Sequence, residues 1–132
     1  MRSIDLRTEQ RTQLVEITDL VREALNGIGD ATAALVYVPH TTAGVTINER
    51  IDPELLGDLE RAFQKVVDDA WSFKHVDQDG ANAPSHVRAS LTGPQVLIPV
   101  ENGQLALGRY QGIFFCEFDG PRDRKVYVTT LR

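Results

Sequence analysis

At 132 residues the chain suits one domain, long enough for an independent core, and its single cysteine, Cys116, excludes an internal disulfide scaffold. A formal charge of -5 offers no broad attraction to nucleic acid or to an anionic membrane surface. The N-terminus MRSIDLRTEQ lacks an apolar signal core, and no segment approaches the roughly 20 apolar residues of a bilayer-spanning helix, so the cytoplasm is the expected compartment.

Residues 3–8 and 13–17 (SIDLRT, QLVEI) alternate apolar and polar around EQRT, the pattern of two short strands joined by a hairpin. Thr18 then precedes LVREALNGIG, whose Leu20, Val21, Ala24, Leu25 and Ile28 recur at helical spacing, with Gly27 and Gly29 able to stop the helix. ATAALVYV at 31–38 is almost wholly apolar and reads as a buried strand closed by Pro39, which has no amide donor. GVTIN at 44–48 alternates as another strand. Asp52 before Pro53 is a helix start: the carboxylate caps free amides and proline fits the first helical position.

Leu55, Leu56, Leu59, Ala62, Phe63, Val66 and Val67 then form a helical apolar stripe with charged residues on the other face. SFKHVDQDGANAPS is a long polar connection, the composition of a functional loop. A short helix is expected from His86 to Leu91, ending at Gly93. QVLIPV, GQLALG after the Asn102-Gly103 turn, QGIFFCEF and RKVYVTTL follow as strands. The order ββαββααββββ does not alternate strand with helix, which predicts an α+β domain: a largely antiparallel sheet covered by helices on one face.

Chemistry concentrates in few places. The histidines are His40 at a strand exit, His75 in the polar connection and His86 just beyond it. Imidazole is the commonest transition-metal ligand, but no pair has a compact spacing such as HExxH, so a metal site stands beside histidines satisfied by neighbours. Thr41, Thr42, Gly44 and Asn48 could hold phosphate through hydroxyls and amides, or form a turn bonded to itself; no GKS or GKT follows, so this is not a P-loop. Glu49 and Asp52 bracket Arg50. Glu117 and Asp119 end an apolar strand beside Arg122 and Arg124, and a buried Glu117 requires a partner. Cys116, inside GIFFCEF, reads as a packed thiol.

Several separated segments together resemble the YjbQ family, also called secondary thiamine-phosphate synthase-like proteins: HTTAGVTINE with the following DP at 40–53, NAPSHVRASLTGPQVLIPV at 82–100, and NGQLALGRYQGIFFCEFDGPRDRKV at 102–126. The resemblance implies a small α+β protein, a homotrimer, and a polar site around the motif histidines near subunit boundaries. Low-efficiency thiamine phosphate synthesis is the activity it implies. Residue by residue it carries over His40, Thr41, Thr42, Asn48 and Glu49 from the first motif, His86 from the second, and Gly108, Gln111 and Glu117 from the third. His75 falls near a further family histidine. Two departures are Ser85-His86 where the family has Ala-His, and Gly108-Arg109-Tyr110-Gln111 where it has Gly-Thr-Trp-Gln, which bears on substrate preference.

On this basis His40, His86 and Glu117 are the expected catalytic or metal-ligating group, with His75 as a further candidate. Thr41, Thr42, Asn48, Arg109, Gln111 and Arg122 are the expected phosphate-binding set. The implied cofactor is a divalent metal, either zinc at the histidines or magnesium carried by a diphosphate substrate. Expected partners are a small phosphorylated metabolite and further copies of the chain, not nucleic acid or membrane. The rival to an enzyme is a non-catalytic trimeric protein that binds a metal or a phosphorylated ligand; a purely structural interaction protein is a third reading.

Overall fold

The computed structural model describes residues 1–76 and 81–132, so part of the polar connection, residues 77–80, lies outside the described residues. In chain order the elements are β1 (Arg2–Arg7), β2 (Gln13–Glu16), α1 (Thr18–Ala24), β3 (Ala33–Tyr37), β4 (Ala43–Glu49), α2 (Pro53–Val66), α3 (Ala83–Thr92), β5 (Gln95–Glu101), β6 (Gln104–Leu105), β7 (Gln111–Glu117) and β8 (Asp123–Leu131). This is the expected α+β order, and every strand pair is antiparallel.

The strands form two sheets rather than one: β1-β8-β3-β5-β6 and β2-β7-β4. Strand β7 explains how they stack. Its Ile113 and Phe115 enter a core shared with Val36 on β3, Ile98 on β5 and Val126 on β8, while Phe114 and Cys116 face the opposite way. That second side packs against Ala89 of α3 and the half-buried Leu56, Leu59 and Phe63 of α2. The three-stranded sheet therefore lies between the larger sheet and these two helices. A strand buried on both faces reads as a continuous apolar run, which is why GIFFCEF has no alternation. Helix α1 adds Val21 to the core between the sheets.

The expected hairpin between the first two strands does not form. β1 pairs with β8, with Ile4 opposite Val126, whereas β2 pairs with β7, with Leu14 opposite Cys116. Between them the chain crosses from sheet to sheet. Thr8 and Thr12 are buried there, and Thr8 N donates to Arg122 O at 2.9 Å. Alternation in two adjacent strands says that each has one covered face; it does not say that they cover it together.

The run at 31–38 is covered on one side only. Ala34 and Val36 are fully buried, but Tyr37 is 40% exposed, as are Leu97 (59%) and Leu131 (42%) on the same outer face of the five-stranded sheet. Local signals placed the remaining elements. Asp52 accepts from Glu54 N at 2.9 Å and Pro53 opens α2. Asn102 (φ 52) and Gly103 (φ 73) turn β5 into a short β6. Helix α3 begins at Ala83, earlier than expected, because Pro84 sits in its first turn, where a missing amide costs nothing.

Candidate functional site

His40 sits just past the end of β3. The last β3–β8 pair is Tyr37 opposite Tyr127, and Pro39 then interrupts the strand. The next free amide on β8 is taken by the imidazole: Lys125 N donates to His40 Nε2 at 2.9 Å. A ring nitrogen that accepts is unprotonated, so in neutral His40 the proton resides on Nδ1. Partial burial, followed by the adjacent Arg124 cation, holds the pKa below the ordinary histidine value and favours that neutral form.

His40 and His86 share one cleft of about 260 Å³, together with Thr41 and Ser90 and a floor that includes Ala43 and Ala89. A second cleft of about 270 Å³ lies on the other side of His86 and is lined by His75, Ala83 and Val87. The His75 and His86 rings meet edge to face, with centroids 4.9 Å apart. All the histidines thus line two clefts that meet at His86.

Helix α3 is held in place to make this possible. Ser85, the departure beside the histidine, does not enter the cleft: it is fully buried and its hydroxyl donates to Phe118 O at 2.5 Å. At the other end of the helix, a Cβ on Gly44 would lie 2.1 Å from Thr92 Oγ1 and 2.7 Å from Gly93 O, so only glycine lets β4 approach this closely. Arg88 is 2% exposed and spans the two helices. Its Nε donates to Phe63 O at 2.7 Å, and its Nη2 to Gln64 O and Val67 O at 3.0 Å, which satisfies carbonyls at the end of α2. Sequence reasoning passed over Arg88. The available signal was an arginine inside an otherwise small and apolar segment, APSHVRAS.

Glu117 has the partner that burial demanded. Arg124 donates from Nε to Oε1 at 2.8 Å and from Nη2 to Oε2, Thr8 Oγ1 donates at 2.7 Å, and Phe118 N and Asp119 N donate at 3.1 and 3.0 Å. Arg124 Nη2 also donates to Thr42 Oγ1 at 2.8 Å. Glu117 and Thr42 are thus engaged in a buried network beneath His40. The carboxylate has no lone pair left for a metal, and among the described residues no three of His, Cys, Asp and Glu converge to hold one. The shell expected of His40, His86 and Glu117 is not assembled in this chain.

The remaining candidates divide. Arg122 is turned to Asp119, donating from Nε to the carbonyl at 2.8 Å and from Nη2 to the carboxylate at 2.8 Å. Asn48, Glu49, Gly108, Arg109 and Gln111 lie at the opposite end of the β4–β7 ladder, because Ala43 pairs with Glu117 and Glu49 with Gln111. Six residues of strand separate the two ends by about 20 Å. Gln111 Oε1 accepts from Gly108 N at 2.7 Å, and the Arg109 guanidinium lies 5.4 Å from the Tyr110 ring centre. One chain does not bring these residues to the histidines.

Two stacked antiparallel sheets, one backed by a pair of helices that place a histidine against a strand-end histidine, define a small α+β protein with a polar cleft. The chain belongs to the family described as UPF0047 protein YjbQ-like, whose model matches residues 2–132. It is 40% identical over 132 residues to UPF0047 protein YugU of Bacillus subtilis, covering 99% of this chain and 98% of that protein. A UPF0047 protein of Archaeoglobus fulgidus is 42% identical over 131 residues, covering 97% and 98%. A crystal structure of an uncharacterized conserved YjbQ/UPF0047 protein from Clostridium acetobutylicum superposes with a TM-score of 0.91 at 42% identity, covering 99% of this chain and 100% of that one. A YbjQ-like protein of unknown function from Sulfolobus solfataricus gives 0.89 at 31% identity, covering 98% and 94%. No helix among the described residues is long and apolar enough to cross a membrane.

Proposed function

We propose that the cleft between His40 and His86 binds the phosphate groups of a small metabolite, and that its reaction is the thiamine phosphate synthesis implied by the family resemblance. One observation supports this most: Lys125 N occupies Nε2 of His40, a residue that lines the cleft, which leaves the Nδ1 N–H of the neutral ring as its one donor. A donor suits a phosphate oxygen. A zinc ion at the same nitrogen would have to displace its proton, so the residues do not fit zinc held by His40, His86 and Glu117. Thr41 adds a hydroxyl donor, the Ser90 hydroxyl being given to the His86 carbonyl at 2.9 Å, and among the described residues no carboxylate lines either cleft.

In that reaction the bond between the pyrimidine methylene carbon and the diphosphate oxygen breaks, its electron pair leaving with pyrophosphate. The thiazole phosphate nitrogen then forms the new bond to that carbon. Donors already aimed at the leaving oxygen stabilise the developing charge without reorganising, which is the main contribution needed. Magnesium belongs to this scheme as part of the diphosphate substrate, in keeping with its preference for oxygen ligands.

The companion proposal is assembly as a homotrimer. The outer face of the five-stranded sheet leaves Tyr37, Leu97 and Leu131 exposed, an apolar surface that subunit contact would cover. Assembly would also let Asn48, Arg109 and Gln111 of one subunit approach a neighbour's histidines. Light scattering on wild type and Leu97→Glu tests this, with a trimer mass expected for the first and a monomer mass for the second.

Calorimetric titration with pyrophosphate tests the ligand reading. His40→Ala is expected to weaken binding about tenfold, the loss of one hydrogen bond to a charged group. Equal affinity in wild type, His40→Ala and His86→Ala would overturn the assignment. The two substrates together separate an enzyme, which releases pyrophosphate over many turnovers, from a binder that saturates once per site.

A further inference from the structure

His75 reaches His86 from a segment with little regular structure, and something must hold it there. Between α2 and His75 the chain is ordered by local turns: Asp68 Oδ1 accepts from Ala70 N at 2.8 Å, and Asp68 O accepts from Trp71 N at 3.2 Å. Among the described residues the side-chain hydrogen bond from this segment to α3 is that of Asp69, whose Oδ1 accepts from Arg88 Nη2 at 3.1 Å. Arg88 is two residues beyond His86 on the same helix, and Asp69 is six before His75. A buried guanidinium already fixed by three carbonyls is a rigid anchor, since it can move only by leaving those acceptors unpaired. Capping α2 required only the carbonyl contacts; the bond to Asp69 additionally ties the His75 segment to the helix that carries His86.

We propose that Asp69, held by the buried Arg88, is a positioning residue that keeps His75 against His86 and so forms the outer wall of the second cleft. Its effect on phosphate affinity rests on the reading of these clefts as a phosphate site; its effect on the ring contact does not. Arg88 is a poor probe, because its removal also uncaps α2. Asp69→Ala leaves the capping bonds in place. A second cation near Asp69 is Arg11, at 3.9 Å, so Arg11→Ala serves as the control for loss of that exposed pair.

The experiment follows the imidazole proton resonances of the full chain by NMR, assigned with His75→Ala and His86→Ala, and measures pyrophosphate affinity on the same samples. In Asp69→Ala the His75 resonance is expected to move to its position in His86→Ala, where the neighbouring ring is gone, while the Lys125 amide bonded to His40 keeps its shift. Pyrophosphate binding should weaken roughly three- to tenfold, and Asp69→Ala should add nothing in a His75→Ala background, because both changes act through the same ring. Arg11→Ala should leave both readouts unchanged. An unmoved His75 resonance in Asp69→Ala, or effects of Asp69→Ala and His75→Ala that multiply, would overturn the positioning role. If pyrophosphate binds wild type no more tightly than His40→Ala, the phosphate reading fails and the His75 resonance still decides the role of Asp69.

Discussion

At one end of the β4–β7 ladder, Glu117, Arg124, Thr42 and Thr8 are buried and bonded to one another. At the other end, Glu49, Arg109 and Gln111 are exposed, and Asn48 and Gln111 accept from backbone amides within three residues. The same families of side chain, carboxylate, cation and amide, thus serve two purposes. A buried network with every partner present fixes positions closely, so the histidine end has the rigidity that a site needs. The far end is adaptable, and the departure at Arg109 and Tyr110 falls there.

The largest break in the comparison comes from Glu117. Glu117→Ala leaves Arg124 buried with Thr42 alone, an uncompensated charge whose cost is about 3–5 kcal/mol. Urea denaturation should show the loss as a lower midpoint with an unchanged slope. An equivalent change at the far end, Glu49→Ala, should stay within about 0.5 kcal/mol.

The glycines sharpen the contrast at intermediate size. In Gly44→Ala the new methyl meets the Gly93 carbonyl oxygen at 2.7 Å, backbone that cannot step aside, which argues for about 1–3 kcal/mol of destabilisation. Gly112, opposite Asn48, would present its methyl to Arg50 Cβ at 2.9 Å and to Glu16 Oε2 and Thr18 Oγ1 at 3.1 Å. Arg50 Cβ moves only with its own backbone, but these contacts are longer than the 2.1 Å and 2.7 Å met at Gly44. Gly112→Ala should therefore cost less than Gly44→Ala in the same denaturation series; the reverse order would mean that the histidine end is the softer one.

What could be read in advance follows the range of the interaction. The Asp52-Pro53 start, the Asn102-Gly103 turn and the apolar stripe of α2 depend on neighbours within a turn or two, and each was legible. Sheet membership was not, because alternation in residues 3–8 and 13–17 is the same whether the strands join each other or separate sheets. Glu117 could be assigned a partner because arginines stand close by in the sequence, at 122 and 124. The carbonyls that Arg88 caps lie 21 to 25 residues away, and the lone pair that Lys125 takes on His40 is 85 residues away. No local pattern reports such pairings. The histidines could be named as candidates from the sequence, but the polarity of His40 could not.

That polarity makes a smaller prediction with a definite sign. His40 has its pKa lowered in the folded chain, by burial first and by Arg124 second. The unfolded chain therefore binds the proton more readily, and its contribution to stability is complete above the unperturbed value of about 6.5. Stability should decline as pH falls from there toward the folded pKa and level off below it. Protonation also removes the lone pair that accepts from Lys125 N, so that amide's chemical shift should titrate with the same midpoint. In His40→Gln this part of the pH dependence should vanish. A Lys125 amide that does not respond while the His40 ring resonances titrate would mean that the imidazole does not complete the β3–β8 ladder.

A further small effect on stability belongs to Arg109, and it probes the far end alone. Its guanidinium lies 5.4 Å from the Tyr110 ring centre, an exposed stacking contact worth about 0.5–1 kcal/mol at most. Arg109→Thr should thus leave the denaturation midpoint almost where it was, and the His75 and His86 resonances unmoved. Pyrophosphate affinity is the informative readout. Within one chain Arg109 is about 20 Å from the histidine cleft, too far for contact. Weaker binding in Arg109→Thr, coupled non-additively to His40→Ala, would require the two ends to meet across subunits. Additive or absent effects would leave the far end outside the site and confine phosphate recognition to the buried, histidine-bearing end.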